Sequence, residues 1–112
     1  MASSEIKKYD VIYYGGGKNT TGCSYRAIIG LRRDDGSLIG AAYFHRDPAT
    51  IPDTDEQSPS GYISCHYLWQ DFSKVLDILR NEKPVYLEFV GGVWKQGSIK
   101  TSTDPVGEGE PT

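Results

Sequence analysis

Four side chains in this sequence can ligate a transition metal or serve as nucleophile and base: Cys23, His45, Cys65 and His66. A zinc site would need thiolates and neutral imidazoles gathered on one ion. Such sites are usually built around a close chelating pair, Cys-x-x-Cys or His-x-x-x-His, and the chain has neither. The adjacent residues Cys65 and His66 would send their side chains in different directions. Nucleophilic catalysis has one physical argument in its favour. If Cys65 opens a helix, the helix dipole would lower its thiol pKa. The expectation is nonetheless no metal, no cofactor and no catalytic set, with these four residues as the outlying metal or thiol candidates.

The segment Gly15-Gly16-Gly17-Lys18-Asn19-Thr20-Thr21-Gly22 offers exposed backbone N–H groups and a lysine, the ingredients of a phosphate cradle. The spacing departs from that pattern. Ile12 stands where the first glycine belongs, and Asn19 follows the lysine where Ser or Thr is required. The segment also leads into a strand, so no helix dipole aims at a phosphate. It reads as a connection between strands. The carboxylates Asp10, Asp34, Asp35 and Glu88, with the acids of residues 47–60, isolate no acid–base pair and are expected to be solvated.

A third chemistry is stacking. The chain has eight Tyr, three Phe and two Trp, and bases are interleaved with the strand aromatics. Aromatic platforms beside a basic track suit single-stranded nucleic acid, and tyrosine-rich exposed sheets suit protein interfaces. The candidate stacking residues are Tyr14, Phe44 and Trp94. The candidate basic residues are Arg26, Arg32, Arg33, Lys95 and Lys100.

The elements that must position these residues follow from periodicity and turn chemistry. Residues 9–14 are β-branched and aromatic and read as a strand. Residues 24–33 and 37–46 flank Asp34-Asp35-Gly36, a three-residue hairpin loop with Gly36 in the left-handed position. That turn sets Ala27 opposite Tyr43, Ile29 opposite Ala41 and Gly30 opposite Gly40, leaving a flat spot for a close-packed helix or a ligand. A short strand covers residues 61–64. Residues 66–81 carry Leu68, Trp69, Phe72, Val75, Leu76 and Leu79 as one helical stripe, with Ser64 as candidate N-cap. Residues 85–90 and 93–101 flank Gly91-Gly92, a two-residue turn that sets Phe89 opposite Trp94 and Glu88 opposite Lys95.

The order is therefore β-β-β-β-α-β-β, an α+β fold with an antiparallel sheet and one amphipathic helix packed on one face. Four strands followed by a helix resemble, in topology alone, single-stranded nucleic-acid-binding domains that form helix-packed dimers. The resemblance transfers no residue. At 112 residues the chain suits one domain. Residues 1–8 read as an N-terminal arm, 9–101 as the domain, 47–60 as a mobile acidic loop and 102–112 as a disordered acidic tail.

The net charge of −3 conceals a division. Residues 1–46 hold seven bases and four acids, and residues 61–101 hold five and four. The loop 47–60 contributes four acids and the tail three, so the acidity lies outside the strands and helix. No apolar run reaches the ~18 residues of a membrane span. The start, Met1-Ala2-Ser3-Ser4-Glu5, has no apolar leader, and two cysteines are too few for a disulfide-stapled domain. Reduced thiols in the cytoplasm are expected.

Three functions follow in order. The first is a non-catalytic binding domain that self-associates as a homodimer and engages a protein partner through the helix-free sheet face. The second is single-stranded nucleic-acid binding on an aromatic and basic face. The third is a small thiol- or metal-dependent enzyme.

Overall fold

A computed structural model describes residues 2–15 and 24–102. Cys23, most of the glycine-rich segment and nearly all of the acidic tail lie outside the described residues. The elements are β1 (Ala2–Ile6), β2 (Lys8–Tyr13), β3 (Tyr25–Arg32), β4 (Leu38–His45), β5 (Glu56–Gln57), β6 (Ile63–Leu68), α1 (Phe72–Asn81), β7 (Val85–Val90) and β8 (Gln96–Thr101).

The class is α+β, but the strands form two sheets rather than one. The larger has the order β2-β3-β4-β6-β5, the smaller β1-β7-β8. Within the larger sheet β4 and β6 run parallel. The residues between them, 46–62, are numerous enough to return to the starting edge, which hairpins cannot do. Residues 2–6, read above as an arm, form β1 and pair with β7. Their sequence has little strand propensity. Ile6 supplies the buried anchor, and β7 supplies a template whose Val85, Leu87 and Phe89 all face the core. Lys7 alone separates β1 from β2, so the chain passes from one sheet to the other at a single residue.

The core lies between the sheets and is closed by α1. Ala27, Ile29 and Leu31 of β3, Ala42 and Phe44 of β4, and Ile63 and Cys65 of β6 meet Val85, Leu87 and Phe89 of β7. Each strand contributes alternate residues, as the pleat requires. Two glycines allow the sheets to approach. A Cβ at Gly40 would overlap the Ile63 carbonyl and lie 2.6 Å from Leu87 Cδ2. A Cβ at Gly97 would overlap Cys65 Sγ.

Three local expectations are corrected by this packing. The β3–β4 hairpin keeps the expected pairing at its far end, Tyr25 with His45, but shifts by one residue through its middle. Ala27 meets Phe44 rather than Tyr43, and Gly30 meets Ala41 rather than Gly40. The shift leaves Arg26 and Ile39 unmatched, and it lets Gly40 lie under Leu87. There is no flat double-glycine spot.

The β7–β8 connection is a five-residue loop, not a two-residue turn. Phe89 pairs with Gly97 and Glu88 with Ser98. The Gly91-Gly92 signal yields to packing, because only glycine fits against Cys65 and the register must deliver Gly97 there.

The helix is shorter than its stripe. Residues 66–68 belong to β6, residues 69–71 form a 3-10 turn, and α1 starts at Phe72. Its N-cap is Asp71 rather than Ser64, and Asp71 makes no side-chain capping bond. Ile63, Cys65 and Tyr67 pack at period two against the core, and pairing with β4 outweighs the helical spacing of Leu68, Trp69 and Phe72. Phe72 seats the helix, edge-to-face on Phe44 at 5.2 Å and in contact with Tyr13 at 5.1 Å.

Candidate functional site

The larger sheet ends in two unlike regions, and the residues singled out in the sequence divide between them. At one end is β2. Every residue from Lys8 to Tyr13 is exposed, including Tyr9, Val11, Ile12 and Tyr13. The ladder to β3 pairs Asp10 with Gly30 and Ile12 with Ile28, and Tyr14 N–H donates to the Arg26 carbonyl at 3.0 Å. Alternation along an antiparallel ladder then turns the N–H groups of Tyr9, Val11 and Tyr13 away from β3, to the outer edge. No described residue pairs with that edge.

The basic candidates do not form one face. Arg32 donates to Asp10 Oδ1 at 2.7 Å and to the Gly36 carbonyl at 2.9 Å. Arg26 donates to the Gly15 carbonyl at 3.3 Å and lies over the Tyr13 ring. Arg33 donates to Ser37 Oγ. Lys100 sits on the smaller sheet and pairs with Glu88 at 3.6 Å. Tyr14 is half-buried just beyond β2. Phe44 is fully buried, so it presents no ring to a ligand and is withdrawn as a stacking residue. Trp94 and Lys95 stand together in the loop before β8, Trp94 72% exposed.

At the other end, segment 47–62 folds over β4 and β6. It carries a 3-10 turn at Pro48–Thr50 and strand β5. Asp55 fastens it. Its backbone N–H donates to the Lys95 carbonyl at 3.0 Å. Its Oδ1 accepts from His66 N–H at 2.8 Å, and its Oδ2 accepts from Gly97 N–H at 2.9 Å. One carboxylate thus ties the segment to both sheets. Lys95 holds a left-handed backbone, φ 42°, at this junction.

Beneath the segment lies a buried polar cluster. Tyr25, Tyr43, His45 and His66 are in ring contact, and the Tyr43 and Tyr62 hydroxyls meet at 2.8 Å. Burial raises the Tyr62 phenol above its ordinary pKa, so it stays protonated. The hydrogen bonds fix the His45 tautomer. Thr50 Oγ1 donates to the Asp47 carbonyl at 2.8 Å, so at 3.0 Å it accepts from His45 Nδ1. Burial and the nearby His66 push His45 below its usual pKa, keeping it neutral. His45 Nε2 is then an acceptor, and His66 Nδ1 donates to it at 2.9 Å. The last atom of the chain is His66 Nε2. It is buried, has no hydrogen-bond partner, and lies 3.5 Å from Glu56 Oε1.

His45 and His66 therefore converge, while Cys65 does not join them. Cys65 faces the core from the middle of β6, not from a helix N-terminus. Burial, then the charge of Asp55, pushes its thiol up to about 12, the reverse of activation. Among the described residues no three of His, Cys, Asp and Glu are placed to hold a metal. None of the helices among them is long and apolar enough to cross a membrane.

Sequence reasoning missed Thr50, Asp55 and Glu56, which were read among solvated loop residues, and it missed the edge of β2. A signal for the edge was present. Tyr9, Val11 and Tyr13 alternate with Ile12 and Tyr14, so both parities of that strand are apolar. No protein-family model matches the chain, and comparison with curated proteins and with solved structures likewise finds no match.

Proposed function

We propose that this chain is a non-catalytic binding domain that self-associates by pairing β2 with β2 of a second copy. The supporting observation is the outer edge of β2, six exposed residues long and mostly apolar. Proteins ordinarily blunt such an edge with charge, proline or a covering segment. Here Lys8 stands only at the start of the strand, and the one acid, Asp10, is turned to Arg32 of its own chain.

An antiparallel register centred on Val11 pairs residues 9–13 with one another about a two-fold axis. It sets Val11 against Val11 and Tyr9 against Tyr13, on the face that carries Leu31, Ile29 and Ala27. The apolar surface then continues from the core into the interface. This moves the interface from the helix-free face to the strand edge. The nucleic-acid reading has thinner support, because Arg26, Arg32, Arg33 and Lys100 are already engaged by their own chain.

Light scattering behind size exclusion, over a concentration series, tests the reading. The chain is expected to elute as a dimer. Val11→Pro removes an outward N–H and leaves the β3 ladder intact, so it is expected to give a folded monomer. A wild-type monomer at high concentration, or a dimer that survives Val11→Pro, overturns the reading.

A further inference from the structure

We propose that the His45–His66 pair is an acid-operated clasp: a second proton taken up by the pair breaks the hydrogen bond between the two rings and lifts segment 47–62 off β6. The clasp rests on the ring nitrogens. His45 Nδ1 donates to Thr50 Oγ1 at 3.0 Å, and a single proton lies between His45 Nε2 and His66 Nδ1, 2.9 Å apart. Glu56 Oε1 stands 3.5 Å from His66 Nε2, within ion-pair reach of a charged His66. The arrangement therefore holds with the pair neutral or singly charged. With both rings charged, every ring nitrogen bears a proton, and two N–H groups face each other at hydrogen-bond distance with no acceptor between them.

The charges around the pair oppose that second proton. Among the described residues Glu56 is the one acid within ion-pair distance of either ring, and it can balance one charge. Tyr25 of β3 and Tyr43 of β4 lie against the rings, and Tyr62 meets Tyr43; phenols carry no charge below pH 8. Arg46 follows His45 and donates to the Tyr25 carbonyl, while Asp47 accepts from Ala49 N–H. Asp53, Asp55 and Lys95 line the cleft that His66 borders, and Lys95 adds to the repulsion. His45 is 2% exposed and the His66 side chain 6%, so water does not screen the two rings from each other. Burial and His66 already hold His45 below its ordinary pKa.

The segment is the part that yields. Thr50, Asp55 and Glu56, which meet the pair or its backbone, all belong to it. Its ladder to β6 is two residues long, whereas β4 and β6 share six paired positions. Lifting it gives both rings to water without opening the core, the least costly route to a doubly charged pair. The opening uncovers the outer edge of β6. The clasp lies at the opposite end of the sheet from β2, and its test reads the same on a monomer or a dimer.

The experiment is amide hydrogen exchange by NMR on the full chain from pH 7.5 to pH 5, above the ordinary range of carboxylates, with rates corrected for intrinsic exchange. The reporters are the amides of Asp55, His66 and Gly97, whose bonds tie the segment to both sheets. Opening takes up a proton, so their protection is expected to fall toward tenfold for each pH unit below about 6.5, while the β1–β7 ladder keeps its own. His45→Gln cannot take the second proton and is expected to remove most of that slope. Imidazole ¹⁵N signals of the wild-type chain carry the same test if this variant does not fold: His45 must gain its proton over the pH range in which the three amides lose protection.

Three results overturn the proposal. One is protection of the three amides that does not change between pH 7.5 and pH 5. Another is an equal loss in the β1–β7 ladder, which is global unfolding rather than a clasp. The third is a slope that survives His45→Gln, or amides that open at a pH where His45 gains no proton.

Discussion

The two ends of the larger sheet solve the same problem in opposite ways. Each end has a strand beyond the packed centre and must do something with its unpaired groups. At the β6 end the chain supplies its own cover, segment 47–62, fastened by Asp55. At the β2 end no described residue supplies one. The covered end is polar inside, a chain of hydroxyl and imidazole groups that stops at one unpaired nitrogen. The open end is apolar with unpaired backbone. The contrast teaches where specificity can reside. A strand edge offers area and a register, whereas a network of hydroxyl and imidazole groups fixes the orientation of each member.

The contrast can be tested by placing the same substitution at both ends. Gly97→Ala puts a methyl group against Cys65 Sγ where the covered end meets the smaller sheet. Both atoms are held by packed strands, so it is expected to cost about 3 kcal/mol in urea unfolding. Adding Cys65→Ala opens the space and is expected to recover much of that loss. Next comes Asp55→Ala, which leaves the N–H groups of His66 and Gly97 without their carboxylate. About 2 kcal/mol is expected, with faster hydrogen exchange at those two amides.

Acid reports on the same end. The His45 pKa is lowered in the fold from its ordinary 6.5. The stability it contributes is full above that value and is lost as pH falls below it, toward the folded-state pKa. Urea midpoints measured between pH 8 and pH 5 should fall on the acid side, and His45→Gln should flatten the slope. The smallest effect belongs to the open end. At Gly30→Ala the new methyl group meets the Asp10 carboxylate, the movable end of an exposed side chain. Under about 1 kcal/mol is expected. A Gly30 effect as large as that of Gly97 would mean that the β2 end is as tightly packed as the other.

Local signals in the sequence were reliable where tertiary packing agreed with them. Gly36 placed the β3–β4 turn correctly, and Tyr25 and His45 pair as that turn demands. The second half of the helical stripe, Phe72 to Leu79, lies on α1 as its spacing requires. The failures have one physical form. Residues 66–68 satisfy a helical period by coincidence of Leu68 and Trp69, yet β4 offers them a parallel partner. Gly91-Gly92 announces a tight turn, yet the fit of Gly97 against Cys65 sets the register.

The candidate sites were harder to read than the fold. Trp94, Lys95 and His66 were each singled out, but nothing in their spacing says that they line one cleft. What joins them is Asp55, an acid inside a run of Pro, Ser and Thr that resembles a solvated loop. Its two backbone partners are distant in sequence, and backbone donors leave no trace in side-chain type.

The junction at Lys7 has a consequence for how the molecule is made. β1 is made before the other described strands, but its strand partner among the described residues is β7, so Ala2 waits for Phe89 and Ile6 for Val85. Through most of synthesis the first strand is an unpaired segment joined to an apolar neighbour, β2. The smaller sheet closes only after β7 and β8 have emerged, and its completion draws β1 across the strands β3, β4 and β6. The order of assembly thus departs from the order in the chain at one strand: β1 precedes the other described strands in the chain and is among the last to find its place.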